Sequence, residues 1–459
     1  MTRDLSAFKA YDIRGIFHEQ VDATFMHVLA QAYTTHFKPK NMAIGYDART
    51  SSEELADALS RGFQKLGVDV LCLGLCGTEM VYFATGKYQM DGGIMITASH
   101  NPKEYNGCKM VSRDSKPVGV GSGMEAIKKL MFDNGPFMHI KPELPDYKGK
   151  STRIDIKKQF VSYLTSLLTE TIHPDLKVVV NSGNGAAGPT ITELAGNLPC
   201  QIEQIYAEPD GHFPNGVPNP LLPENRDDTT TAVLKTGADL GAAFDGDFDR
   251  CFFFDENGRF IEGYYIVGLL AEQILQKKPG AKIIHDPRLT WNTIEIVKNH
   301  GGIPVVSKTG HAFLKQSMRK HNAEYGGEMS AHHYFRDFWY CDTGILPLLL
   351  ILELLSTSGK SFSELVNEAI ARYPVSGEMN FSIRERPDRV IKEVENYFSD
   401  QSGSVMRLDG LSMEFDLWRF SLRASNTEPL LRLNVEARSN ISLMESKRDR
   451  IIQIIKKFQ

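Results

Sequence analysis

Cysteine is scarce in this chain, with six residues in 459. That density is too low for a disulfide scaffold. Cys72 and Cys76 lie in the apolar run VLCLGLC, which predicts burial rather than metal binding. An excess of basic charge is also missing: the net charge is −5. A protein whose main partner is nucleic acid usually needs a basic face, so no nucleic-acid partner is expected. Long hydrophobic runs are missing too. The most apolar stretch, 345–355, contains Pro347 and Glu353 and is too short to span a bilayer, so it reads as a buried helix. Residues 1–15 carry Arg3, Asp4, Lys9, Asp12 and Arg14 around no apolar core, unlike a secretory signal. The expectation is a reduced, cytoplasmic protein with no membrane association.

What is present is ordinary for a globular protein: 42% hydrophobic and 24% charged residues. That is enough apolar surface to offset chain entropy. At roughly 150 residues per domain, the length suggests about three domains with room for four smaller ones. One pattern occurs three times, an apolar run ending in Asp or Asn, then a turn, then a helical periodicity. It begins at Met42 (MAIGYDARTSSEELADAL), Lys177 (KVVVNSGNGAAGPTITEL) and Lys282 (KIIHDPRLTWNTIEIV). Continuously apolar runs suit parallel strands covered on both faces, and the Ser, Thr and Asn that follow are candidate helix caps. The last ninety or so residues differ. FSLRA and PLLRLNVEA flank a turn and a helix-like segment closes the chain, an α+β pattern. Boundaries are expected near 145–149, just after Asp249, and near 374–377.

Several segments carry chemistry. In GGIMITASHNPKEYNGCKM, a strand-like run delivers Ser99, His100 and Asn101 into a loop, and Pro102 keeps Asn101 out of helix. A hydroxyl there could act as a nucleophile or carry a phosphoryl group, with Lys109 nearby as a cation. No G-x-S-x-G elbow surrounds Ser99, which argues against a hydrolase triad. In AAFDGDFDRCFFFDENG, Asp245, Asp247 and Asp249 alternate. Three carboxylates this close repel unless a cation joins them, and hard oxygen ligands suit Mg²⁺. An EF-hand would need Gly where Arg250 stands, and the strand-like run after it leaves no room for that loop.

The turn from Gly183 to Gly188 fits G-x-G-x-x-G after a strand, with Glu203 at the distance of a ribose ligand. A tight strand-to-helix turn is the simpler reading. Lys308, Thr309, Gly310 and His311 precede a polar segment from Gly326 to His333. There Glu328 and Ser330 could bind vicinal hydroxyls and a His could move a proton. Arg423, Ser425, Asn426 and Thr427 form a hairpin-like turn that could cradle a phosphate.

Read together, YDIRG at 11–15, TASHNP, DGDFDR, GEMSAHH and RASNTEP resemble the α-D-phosphohexomutase family along nearly the whole chain and in consistent order. The GEMS form of the sugar loop is similar to that of the bacterial phosphomannomutase branch. The resemblance implies three similar mixed α/β domains (1–149, 150–252 and 253–373) and a smaller α+β C-terminal domain (374–459) around a central cleft. They would carry, in turn, the phosphoserine loop, the metal loop, the sugar loop and a phosphate site. It implies that Ser99 carries the phosphoryl group and that its phosphate, Asp245, Asp247 and Asp249 bind Mg²⁺. Glu328 and Ser330 would read sugar hydroxyls, and Arg423, Ser425, Asn426 and Thr427 would hold the non-reacting phosphate. Arg14, His100, Lys109, His311 and His332 match positive or proton-moving positions. Tyr11, Arg250, Lys308 and Arg288 are further substrate contacts, although relatives often have Lys at the last. Ala331 stands where Gly is frequent.

The implied reaction interconverts D-mannose 6-phosphate and D-mannose 1-phosphate, feeding GDP-mannose synthesis. A hexose 1,6-bisphosphate serves as intermediate and activator, and His332, then Lys109, is the expected general base. Small hexose phosphates would be the partners, and the oligomeric state stays open. Alternatives are a glucose-specific or dual-specificity mutase, a non-catalytic sugar-phosphate sensor, and an NAD-dependent oxidoreductase resting on the Gly183 turn. A sensor would be marked by loss of Ser99 or of a metal-loop Asp, and all four residues are present.

Overall fold

The computed structural model describes residues 5–132, 148–401, 403–424 and 430–459. Two compact units emerge, Met1–Phe260 with His332–Gly359, and Ile261–Ala331 with Lys360–Gln459. In the first unit the strand Asn41–Tyr46 runs parallel between Asp69–Leu75 and Gly92–Ile96. Tyr105–Ser112 and then Ile13–Ile16 add antiparallel strands at one side. Ser151–Arg153 extends the other side, parallel to Asp69–Leu75. Helices Ala23–Phe37 and Ser52–Lys65 bury Phe25, Leu29, Tyr33, Leu55, Leu59 and Phe63 in one core with Ile44 and Ile94. A second sheet has Lys177–Asn181 parallel to both Gln201–Ile205 and Leu240–Phe244, and Cys251–Asp255 closes it antiparallel. Two of the divisions expected from sequence therefore fall early, because Ser151–Arg153 belongs to the first sheet and Cys251–Asp255 runs through 252.

In the second unit Lys282–His285 lies parallel between Ile303–Val306 and Tyr325–Gly327. The last sheet is wholly antiparallel, from Met379–Ser382 through Leu430–Ala437, Trp418–Ala424 and Leu411–Glu414 to Ser404–Met406. Helices Pro387–Phe398 and Ile441–Ile455 contribute Val390, Val394, Phe398, Ile451 and Ile455 to its core. This α+β unit follows from its sequence: Leu431, Leu433 and Val435 alternate on one strand and share one buried core with apolar residues of both helices.

All three repeated strand–turn–helix segments form as expected. The capping expectation fails there, since Ser51, Ala187 and Thr290 stand at the helix starts without a side-chain cap bond. Side-chain caps occur elsewhere, at Asp22, Ser361 and Asn440. Ile345–Ser358 is a largely buried helix. Among the described residues no single helix is long and apolar enough to cross a membrane. Cys76 is buried and Cys72 partly so.

Candidate active site

The strand Gly92–Ile96 is buried along its length and hands Thr97, Ala98 and Ser99 to a tight loop. Ser99 is 2% exposed and adopts φ 51°. That left-handed conformation costs a residue bearing a Cβ about 1–2 kcal/mol. Arg49, from the first repeated turn, offsets the cost. Its terminal nitrogens donate to the carbonyl oxygens of Ser99 (2.8 Å), Asn101 (2.7 Å), Pro102 (2.7 Å) and Tyr105 (2.9 Å). Asp47 lies 3.3 Å from Arg49 Nε and accepts from the Ser52 hydroxyl at 2.5 Å. Only a rigid fork of donors reaches four carbonyls at once. Arg49→Lys is expected to lower kcat about 100-fold through loss of loop geometry. KM should change little. Steady-state kinetics checks this, and an unchanged kcat would show that the loop keeps its shape unaided.

The second sheet supplies the carboxylates. The strand Leu240–Phe244 is fully buried and ends in Asp245, and Cys251–Asp255 follows Arg250 as an equally buried strand. That strand replaces the second half of an EF-hand loop. Ser99 Oγ donates to Asp245 Oδ2 at 2.7 Å. Arg250 Nε and Nη2 donate to the same oxygen at 2.9 and 2.7 Å, and Arg250 also donates to His100 Nδ1. His100 Nδ1 lies 3.0 Å from Ser99 Oγ. Lys109 Nζ donates to Asp247 Oδ2 at 2.7 Å and to Asp249, and Thr78 donates to Asp247 at 2.5 Å. Arg14 donates to Asp12 at 2.8 Å and to Asn101 Oδ1 at 2.7 Å. Tyr11 precedes this pair and is partly buried. His332 Nε2 stands 3.6 Å from Asp249 Oδ1.

The Gly183 turn packs against this loop instead of cradling a nucleotide. Ala186 N donates to Gly246 O at 3.0 Å, and a Cβ at Gly185 would lie 2.8 Å from that oxygen. Glu203 is exposed on its strand. The glycines serve close approach of two backbones, and the dinucleotide reading falls away.

The second unit gathers the remaining predicted residues. Arg288 is fully buried and donates to Asp286 at 2.7 Å, Glu378 at 3.0 Å and Ser330 Oγ at 3.2 Å. Glu328 lies 3.6 Å from Arg288 and accepts from Gly310 N at 2.9 Å. Arg423 Nη2 is 3.5 Å from Glu378. His311 opens the helix His311–His321, with Lys315 Nζ 3.4 Å from its Nδ1. Lys308 is exposed, its ammonium 6.0 Å over the Phe313 ring. Ala331 has φ 68°, the backbone state that explains why Gly is the commoner choice there. Ser425, Asn426 and Thr427 lie outside the described residues.

Comparison with known proteins decides the family. Models of the phosphoglucomutase/phosphomannomutase alpha/beta/alpha domains I, II and III match 5–135, 158–258 and 262–373, and the C-terminal domain model matches 378–453. The chain belongs to the phosphoglucomutase/phosphomannomutase family. It is 51% identical to a Salmonella montevideo phosphomannomutase, covering 98% of this chain and 99% of the relative. To an Escherichia coli K12 phosphomannomutase it is 49% identical over 99% of both. A crystal structure of a family protein from Burkholderia thailandensis superposes with TM-score 0.87 at 31% identity, over 99% of this chain and 98% of that one. The protein is thus a phosphohexomutase, an isomerase of mixed α/β architecture with four family domains.

The acidic loop of this family member fits a divalent cation. Asp245, Asp247 and Asp249 each offer an oxygen within 4.8 Å of the others, and Asp247 Oδ1 and Asp249 Oδ1 are buried without a hydrogen-bond partner among the described residues. Asp249 also belongs to a second group with His332 and Asp342, but the all-carboxylate set suits a hard ion better. Burial pushes the Asp245 and Asp249 carboxyls up. Burial opposes ionisation of Asp247 too, yet Lys109 and Thr78 outweigh it and hold this carboxyl well below the usual range. Burial would likewise lower the Lys109 ammonium, but Asp247, Asp249 and Asp245 raise it above an ordinary lysine. In this arrangement the three carboxylates favour the charged form of Lys109.

Sequence reasoning missed Arg49, Asp47, Thr78, Glu378 and Arg432. The first two sit in the repeated strand–turn–helix pattern, where an Arg two residues after the Asp that ends the apolar run was a usable signal. The others carry no local motif.

Proposed function

We propose that the protein interconverts D-mannose 6-phosphate and D-mannose 1-phosphate through phosphorylated Ser99 and a hexose 1,6-bisphosphate, and so supplies GDP-mannose synthesis. The observation that carries this is the placement of Ser99 Oγ, 2.7 Å from Asp245, in a buried loop that unites three carboxylates with Lys109 and Arg250. Phosphoryl transfer is catalysed chiefly by positioning and charge stabilisation, and this loop provides both. Ser99, Asp245, Asp247 and Asp249 would hold Mg²⁺, which when bound neutralises charge on the phosphoryl group.

In the first half-reaction the bond from phosphorus to Ser99 Oγ breaks as one to a sugar oxygen forms, and in the second the bond between the other phosphorus and its sugar oxygen breaks as one to Ser99 Oγ re-forms. His332, beside Asp249, takes the proton of the attacking hydroxyl, while Lys109 and Arg14 keep the site cationic. Glu328 and Ser330 contact sugar hydroxyls, and the arginines of the C-terminal sheet hold the phosphate that is not reacting. A hexose 1,6-bisphosphate should restore activity to phosphatase-treated protein. Intact mass should fall by one phosphoryl group on phosphatase treatment, on the peptide holding Ser99. No activation and no mass change would sink the cycle.

A second reading, activity on glucose phosphates as well, is favoured by the family models, which cover both activities. The ratio of kcat/KM for the two hexose 1-phosphates separates them, and mannose is expected to lead.

A further inference from the structure

The C-terminal sheet sets two arginines opposite one another. Arg423 and Arg432 are register partners on the strands Trp418–Ala424 and Leu430–Ala437, so their side chains share a face. Like charges directly opposite repel, and Arg423 is only 4% exposed. The pair needs an anion. Glu378, one residue before the strand Met379–Ser382, provides it. Its carboxylate accepts from Arg432 Nη1 and Arg288 Nη1, each at 3.0 Å, and lies 3.5 Å from Arg423 Nη2. Burial opposes the charge on Glu378, but Arg288, Arg432 and Arg423 bring its carboxyl down to about 2. It is ionised throughout the neutral range.

The cluster is nevertheless short of acceptors. Among the described residues, Nε of Arg288 and Nε of Arg423 are buried without a hydrogen-bond partner. The carboxylates beside Arg423, Glu378 at 3.5 Å and Asp409 at 3.9 Å, are too far for good hydrogen bonds. Arg288 already has Asp286, whereas Arg423 has carboxylates only at these longer distances. A phosphate offers more charge and more oxygens than a carboxylate, and guanidinium forks accept either.

We propose that Glu378 is a positioning residue that holds Arg423 and Arg432 ready for the substrate's non-reacting phosphate and yields them to it on binding. This rests on the reading above that the Arg423 side receives that phosphate. Glu378 then competes with the ligand for the same donors. It weakens ground-state binding, which adds nothing to the chemical step, and eases the release that a bisphosphate needs in order to turn around between half-reactions.

Glu378→Gln keeps the shape and removes the charge. In metal-free buffer, calorimetry should show inorganic phosphate binding about 10-fold tighter to this variant. KM for the hexose phosphate should fall in proportion, and kcat should fall as well, because the phosphate leaves more slowly. Arg432→Gln should bind inorganic phosphate about 10-fold more weakly than the parent protein. Unchanged or weaker phosphate binding by folded Glu378→Gln would overturn the proposal. If that variant does not fold, Arg432→Gln decides, and phosphate binding equal to the parent protein's overturns it. The titration needs no turnover. A parent protein that binds phosphate but isomerises no hexose phosphate would therefore reject the functional reading while leaving this one to its own result.

Discussion

Ser99→Ala should lose at least about 10⁴-fold in kcat, the scale on which removing a nucleophile abolishes covalent catalysis. Its fold should survive. The lost bond is one donated by Ser99 Oγ to Asp245 Oδ2, and Arg250 donates twice to the same oxygen, so no buried acceptor is left bare. A stability loss of only about 1 kcal/mol is expected. The left-handed backbone at this position is held through its carbonyl by Arg49, a contact the substitution leaves in place. Kinetics with a hexose 1,6-bisphosphate present, alongside a thermal melt, reads both quantities. Parent-level activity in the variant would remove the covalent cycle altogether.

Asp247→Asn should lower kcat by about 10³-fold, as expected when a ligand of a charge-stabilising ion is lost. Its effect on stability distinguishes two views of the loop. From the spacing alone, removing one of three clustered carboxylates relieves repulsion. The structure reverses that expectation, because Lys109 and Thr78 both donate to Asp247. The amide oxygen can still accept from both, but the substitution removes one of the charges that balance the buried ammonium and should cost about 2 kcal/mol in metal-free buffer.

Binding linkage supplies a readout independent of catalysis. Mg²⁺ at 100 times its Kd should stabilise the parent protein by about 2.7 kcal/mol and the variant hardly at all. Equal stabilisation of both proteins in denaturant unfolding would place the ion elsewhere.

Local order along the chain is what made most of this architecture legible. Apolar runs such as Val178, Val179 and Val180 followed by a turn and a helical period announce an α/β unit, since each link involves neighbours in sequence. The alternation of Asp245, Asp247 and Asp249 is legible for the same reason: a turn between two buried strands brings those side chains together without help from distant residues. What spacing cannot encode is which distant group neutralises them. Lys109 is 138 positions from Asp247, and only the pairing of Tyr105–Ser112 with Gly92–Ile96 aims it there.

The same holds for protonation. Lys109 reads from the sequence as a nearby cation or base, and only the structure shows the three carboxylates that raise its ammonium, because desolvation and Coulomb interactions act through space. Arg49, Glu378 and Arg432 owe their places to tertiary packing as well. Fold class, the candidate hydroxyl at Ser99 and the acidic loop are properties of short segments and can be read along the chain. Charge balance, loop strain and the partners of the buried arginines exist only after sheets and loops separated by tens to hundreds of residues have met.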